Sequence, residues 1–142
     1  MNNTSLYYVG IDLGVTTGIA VIEKLDTGQT NIIEHYATAD PLELFEYLVY
    51  YCQEFEPVKF GIELPAFTRK YTEDFLSHLF RIWEALYRNS IDIADPDYVT
   101  MFYPSVWKKL ITLNLKMSMT QHEKDAIGIA MYLIAMEEKK YG

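Results

Sequence analysis

The sequence predicts one α/β domain: a mixed five-stranded sheet, an antiparallel three-strand meander plus parallel strands, with helices on both faces. Three observations predict it. The chain opens with three strand-like segments rich in Val, Ile and Tyr, joined by two tight turns. A helical segment then leads to a short apolar run, which is the pattern of a crossover to a parallel strand. From there helical and strand-like segments alternate to the end, as layered α/β folds do. With 142 residues the chain can bury one core but not two lobes, and no linker or repeat divides it, so residues 1–142 read as one domain.

The elements follow in order. Leu6 to Asp12 and Gly18 to Glu23 are strands separated by the turn-prone Gly14-Val15-Thr16-Thr17. A third strand, Asn31 to Tyr36, follows the Asp26-Thr27-Gly28 turn. Asp40 is a good N-cap, Pro41 suits the first helical position and Glu43 has capping-box spacing, so a helix begins there. Leu42, Phe45, Leu48, Val49, Cys52 and Phe55 give it one apolar face, and Pro57 ends it. Tyr47, Tyr50 and Tyr51 fall mostly off that face and are candidates for an interface. Val58 to Glu63 is a short strand expected beside and parallel to the first. Tyr71, Phe75, Leu79, Ile82, Trp83 and Leu86 mark a second long helix. Tyr98 to Tyr103 is a fifth strand, Ser105 to Ile111 a short helix, and Thr120 to about Glu138 a final helix started by a Thr120/Glu123 capping box.

Composition narrows the class. No apolar run approaches the roughly 20 residues of a membrane span, and Met1 to Ser5 lack the basic start and apolar stretch of a secretory signal. Cys52 is the single cysteine, which excludes an internal disulfide and a cysteine-cluster zinc site. A reducing, cytoplasmic setting is expected. The net charge of −8 opposes phosphate binding, but it is unevenly spread. Residues 1–63 hold ten acids and two bases, whereas residues 64–142 hold ten of each. Between Tyr98 and Gln121 there is no acid, and Lys108, Lys109 and Lys116 lie there.

Three acids stand where an element ends or begins. Asp12 closes the first strand, Glu63 closes the fourth, and Asp125 lies on the first turns of the last helix. If strands one and four are adjacent and parallel, Asp12 and Glu63 meet at one edge of the sheet. Asp125 and His122, three residues apart, share a helix face that can reach them. Carboxylates so gathered do not all ionise without a cation, and hard oxygen ligands suit Mg²⁺, with Mn²⁺ as a substitute. Two such ions can activate water and stabilise the leaving oxygen in phosphodiester hydrolysis. Asp12, Glu63, His122 and Asp125 are therefore the expected catalytic and metal-holding set, with His122 acting as a ligand or a proton shuttle. Singly, each is more often a turn, cap or solvated residue; their joint placement carries the expectation.

Ile11-Asp12-Leu13-Gly14 followed by Thr17-Gly18 resembles the opening strand pair of the RuvC-type Holliday-junction resolvases, nucleases of the RNase H-like fold. Ile62-Glu63, Tyr103-Pro104-Ser105-Val106-Trp107-Lys108-Lys109 and His122-Glu123-Lys124-Asp125-Ala126 are similar to later motifs of that family, in the same order. The resemblance implies a dimeric endodeoxyribonuclease that makes paired nicks in four-way DNA junctions with two metal ions, in recombination or repair. Three departures stand out: Leu13 where Pro is common, His122 where many relatives carry Asp, and Leu113 to Met119 in place of a Gly-rich loop.

On this reading Arg69 and Lys70 flank the metal site and contact phosphate, Lys108, Lys109 and Lys116 form a second basic patch, and Phe67 stacks on an unpaired base. Each has a plainer alternative, a solvated charge or a core aromatic. Arg81 and Arg88, seven apart and sharing a helix face with Asp74, read as solvated or dimer-rim charges. Three rival functions remain open: a related nuclease on flaps, forks or RNA; a non-catalytic scaffold; and a nucleotide-binding module of the actin-like ATPase type, which needs a second lobe and a second phosphate motif.

Overall fold

The computed structural model describes residues 5–56, 58–64, 73–102 and 119–141. Strands β1 (Leu6–Asp12), β2 (Thr17–Lys24) and β3 (Thr30–Thr38) are followed by helix α1 (Pro41–Glu54) and strand β4 (Val58–Glu63). Helix α2 (Glu73–Arg88), strand β5 (Val99–Phe102) and helix α3 (Gln121–Tyr141) complete the described elements. The strand order is β3-β2-β1-β4-β5. β1 runs antiparallel to β2 and parallel to β4, β2 is antiparallel to β3, and β4 is parallel to β5. This is the expected mixed sheet: tight turns force the meander, and the α1 crossover returns β4 parallel to β1.

The pleat sorts each strand's side chains between two cores. Val9, Ile11, Ile19, Val21, Phe60 and Ile62 meet Leu44, Leu48 and Tyr51 of α1 and Ile82, Ala85 and Leu86 of α2. On the other face Tyr8, Ala20 and Ile22 meet Ala126, Ile127, Ala130, Leu133 and Ile134 of α3. Helices thus cover both faces. The C-terminal part of α3 is pinned by Glu137, which accepts from the Tyr8 hydroxyl at 2.6 Å and from Lys59 Nζ at 2.5 Å.

Several local expectations change. The N-cap of α1 is Asp40, whose side chain accepts from the Leu42 amide at 3.0 Å. Its buried residues, however, are Leu44, Leu48, Tyr51 and Cys52, while Leu42 is exposed. The helix is rotated because Tyr47 and Tyr51 pack, rings tilted against one another, in a chain of aromatic contacts with Tyr36 and Phe55. Tyr51 is therefore core, and of the three tyrosines considered for an interface Tyr50 alone is strongly exposed. On α2, Trp83 faces outward and His78 is buried. Arg81 and Arg88 both bond Glu84 and lie over the Phe45 ring, at 5.8 and 5.2 Å from its centroid. β3 is longer than expected and bulges where Val21 pairs with Glu34 and Ile22 with Ile32. Pro57, Tyr71, Tyr103 and the Ser105–Ile111 segment lie outside the described residues.

Candidate active site at the carboxyl ends of the central strands

β1 is the central strand of the sheet and β4 its parallel neighbour, and their register sets Asp12 beside Glu63. Both face α3, because alternation places Tyr8, Gly10 and Asp12 on that side of β1, and Lys59, Gly61 and Glu63 on that side of β4. Neighbouring contacts agree: a Cβ on Gly10 would meet Ala126 of α3, and one on Gly61 would meet Ile129. Glu63 is 5% exposed and the Asp12 side chain 13%.

The third part of the site comes from α3. It lies so close to the sheet that its backbone rests on glycines: a Cβ at Gly10 would be 2.0 Å from the Ala126 carbonyl oxygen, and one at Gly18 would be 2.1 Å from that of His122. Gly18 is the register partner of Asp12. That close approach puts His122 Nδ1 3.0 Å from Asp12 Oδ2. A carboxylate accepts, so Nδ1–H donates and the lone pair of the neutral ring lies on Nε2. Asp125, one turn further along α3, accepts from Gln121 Nε2 at 2.8 Å.

The start of α3 is itself held. Thr120 and Glu123 form a capping box: the Glu123 amide donates to Thr120 Oγ1 at 3.2 Å, and the Thr120 amide donates to Glu123 Oε1 at 3.4 Å. The other Glu123 oxygen pairs with His35 of β3. Burial pushes the Glu123 carboxyl up, but the bonds from His35 and Thr120 together outweigh it and hold the group below its usual range. Sequence reasoning found the cap and missed His35, whose signal is visible only once the β3 bulge and the α3 approach are known.

The structure thus sets Asp12 beside Glu63 at one end of the sheet, brings His122 to Asp12, and places Asp125 on the adjoining helical turn. Among the described residues no three His, Cys, Asp or Glu side chains are drawn into a metal-holding cluster. The donor chemistry nevertheless fits a divalent cation: Asp12 and Glu63 set two carboxylates, hard oxygen donors, side by side on adjacent strands. Phe67, Arg69, Lys70, Lys108, Lys109 and Lys116 lie outside the described residues. No helix among the described residues is long and apolar enough to cross a membrane.

No protein-family model matches the chain, and no curated protein matches it. Solved structures do. RuvC of T. thermophilus in complex with Holliday junction substrate is 15% identical, with a TM-score of 0.69 over 89% of this chain and 90% of that one. A second Thermus thermophilus RuvC structure gives 15% identity and a TM-score of 0.70 over 92% and 96%. The Fowlpox virus resolvase in complex with Holliday junction DNA is 8% identical, with a TM-score of 0.54 over 91% and 99%. At these identities the likeness is one of architecture. The chain has the RuvC-type, RNase H-like fold.

Proposed function

We propose that this protein is a metal-dependent endonuclease selective for branched DNA, which resolves four-way junctions by paired nicks. The observation that carries the proposal is the Asp12–Glu63 pair, at the carboxyl ends of adjacent parallel strands and met by His122 from α3. Architecture similar to proteins solved with Holliday junction DNA supports the substrate class.

Asp12, Glu63 and Asp125, with His122 as ligand or proton shuttle, would hold Mg²⁺, with Mn²⁺ as a substitute and two ions in the full site. When bound, the ions supply Lewis-acid activation of water and charge stabilisation at phosphorus. The chain's own residues do the rest. Asp12 accepts the Nδ1 hydrogen of His122, which fixes the ring's tautomer and leaves Nε2 able to take a proton from water. Glu63, buried against α3, keeps its carboxylate at the edge of the sheet. Arg69, Lys70, Lys108, Lys109 and Lys116 are assigned to phosphate, and Phe67 to an unpaired base.

Paired nicks on opposed strands call for a homodimer. Leu76, Phe80, Trp83 and Tyr87 form an exposed stripe along α2, with Trp83 stacked on Tyr87 at 5.2 Å. Two α2 helices crossing antiparallel on a two-fold axis would bury that stripe and set Glu73 of each first turn near Arg88 of the other's last turn. A cytoplasmic location goes with this role.

The test uses a four-way junction, a flap and a linear duplex, labelled strand by strand, with Mg²⁺ or EDTA. Symmetric nicks in the junction alone are expected, lost with EDTA and in Asp12→Asn while folding and DNA binding persist. Cleavage of all three substrates would retain the nuclease and remove the selectivity. Full activity of Asp12→Asn would remove the mechanism.

A further inference from the structure

His78 lies on α2 with its ring fully buried, on the face of the sheet opposite α3. Burying an imidazole in an apolar core is costly unless its nitrogens are bonded. Here both are: Nδ1 is 2.9 Å from Thr17 Oγ1, and Nε2 is 3.2 Å from the Ala39 carbonyl oxygen. A carbonyl only accepts, so Nε2 carries the hydrogen and Nδ1 of the neutral ring accepts from the Thr17 hydroxyl.

The Thr17 hydroxyl stands at the turn that follows Asp12. Its single hydrogen is shared between His78 Nδ1 and the Gly14 carbonyl oxygen, 3.1 Å away, while its oxygen accepts from the Gly14 amide at 3.4 Å. Gly14 is two residues beyond Asp12, and Thr17 precedes Gly18, the register partner of Asp12. The turn is closed on itself by one side chain, and that side chain is fully buried against His78. Ala39, the partner of the other ring nitrogen, precedes the N-cap of α1. One imidazole therefore ties α2 to the β1–β2 turn and to the β3–α1 junction.

We infer that His78 is a positioning residue for Asp12, acting through the hydroxyl of Thr17. The inference rests on reading Asp12 as a metal-holding carboxylate. α3 holds the Asp12 side chain from one face through His122; from the other face His78, through Thr17, holds the turn at Gly14 that follows Asp12. Groups behind the ligands of a metal site typically change metal affinity or activity by about 10–100-fold when removed.

The experiment separates the two nitrogens of the ring. In His78→Asn the amide falls near the Nδ1 position and keeps the Thr17 bond; in His78→Gln it reaches the Nε2 position and keeps the Ala39 bond. Each loses one hydrogen bond, and denaturant unfolding measures the stability each loses. Thr17→Ser keeps the hydroxyl and Thr17→Val removes it. Binding of Mn²⁺ alone is read by the resonance of the free ion, and kcat and KM are measured on the four-way junction.

His78→Gln and Thr17→Val are expected to bind Mn²⁺ about 10–100-fold more weakly and to lose kcat with little change in KM. His78→Asn and Thr17→Ser should stay near the parent protein. Equal Mn²⁺ affinities in His78→Asn and His78→Gln would overturn the positioning role and leave His78 a core residue. Asp12→Asn is the control. If it abolishes Mn²⁺ binding while the His78 and Thr17 variants bind as the parent does, the positioning role alone falls. If Mn²⁺ binds Asp12→Asn as it binds the parent, the assignment of Asp12 falls and takes this inference with it.

Discussion

Gly18→Ala adds one methyl group where the first turn of α3 rests on the sheet. The new Cβ would stand 2.1 Å from the His122 carbonyl oxygen and 2.5 Å from its carbon, against an ordinary contact of 3.4 Å or more. Both clashing atoms are backbone, so no side chain can swing away; the helix start must move out by the shortfall of about 1.3 Å. Overpacking of this kind costs about 1–3 kcal/mol, which in a domain this size lowers Tm by several degrees. The same shift takes His122 Nδ1 beyond hydrogen-bond distance of Asp12, from its present 3.0 Å. A misplacement of about 1 Å at a reacting centre can cost about 100-fold in rate. Gly28→Ala is the matched control. Gly28 has φ 91° in an open turn, so alanine there is strained by about 1 kcal/mol without touching the site. Junction cleavage, thermal unfolding and the NMR signals of the His122 ring are followed in both variants. Gly18→Ala is expected to lose about 100-fold in kcat and to shift the ring signals, and Gly28→Ala to lose stability alone. Equal losses of activity in the two variants would refute the close approach of α3 as the device that builds the site.

Three further outcomes are expected. Replacing Lys108 and Lys109 by Ala should weaken junction binding and lower the slope of log K against log salt by about 2; an unchanged slope would place the phosphate contacts elsewhere. Trp83→Glu, on the exposed stripe of α2, should convert a dimer into monomers in sedimentation and abolish paired nicking while leaving the fold intact. Glu123 is held below the usual carboxylate range despite its burial, so it contributes stability that is present above the unfolded-state pKa and lost as pH falls through the folded value. Acid unfolding should therefore begin as pH drops through the ordinary carboxylate range and below it. Glu123→Gln, which keeps the cap, should show a shallower acid limb; an identical limb in the variant would remove the His35–Glu123 pair from that role.

The meander, the α1 crossover and the caps at Asp40 and Thr120 were legible in the sequence because they are local. Turn residues, two-residue alternation and capping spacing act within a few positions of one another. The positions of Asp12 and Glu63 followed almost as directly, since two strands joined by a crossover helix place their ends at one edge. What the sequence left open was how elements turn against one another. α1 carries overlapping apolar and tyrosine faces, and packing on β3 and α2 selected Leu44, Leu48 and Tyr51 over Leu42.

His35 and His78 illustrate the same division. In the chain they lie 88 residues from Glu123 and 61 from Thr17, their partners in the fold. No spacing rule joins them, and a single histidine on a strand or helix carries no mark of its partner. Gly10 and Gly18 stood in the sequence as strand residues, and only the close approach of α3 explains why neither position has room for a Cβ. The sequence by itself determined which elements form and which acids end them, because propensity, alternation and capping are short-range. The tertiary structure alone decided which faces touch and what stands behind Asp12, because packing and buried hydrogen bonds join residues that the chain keeps far apart.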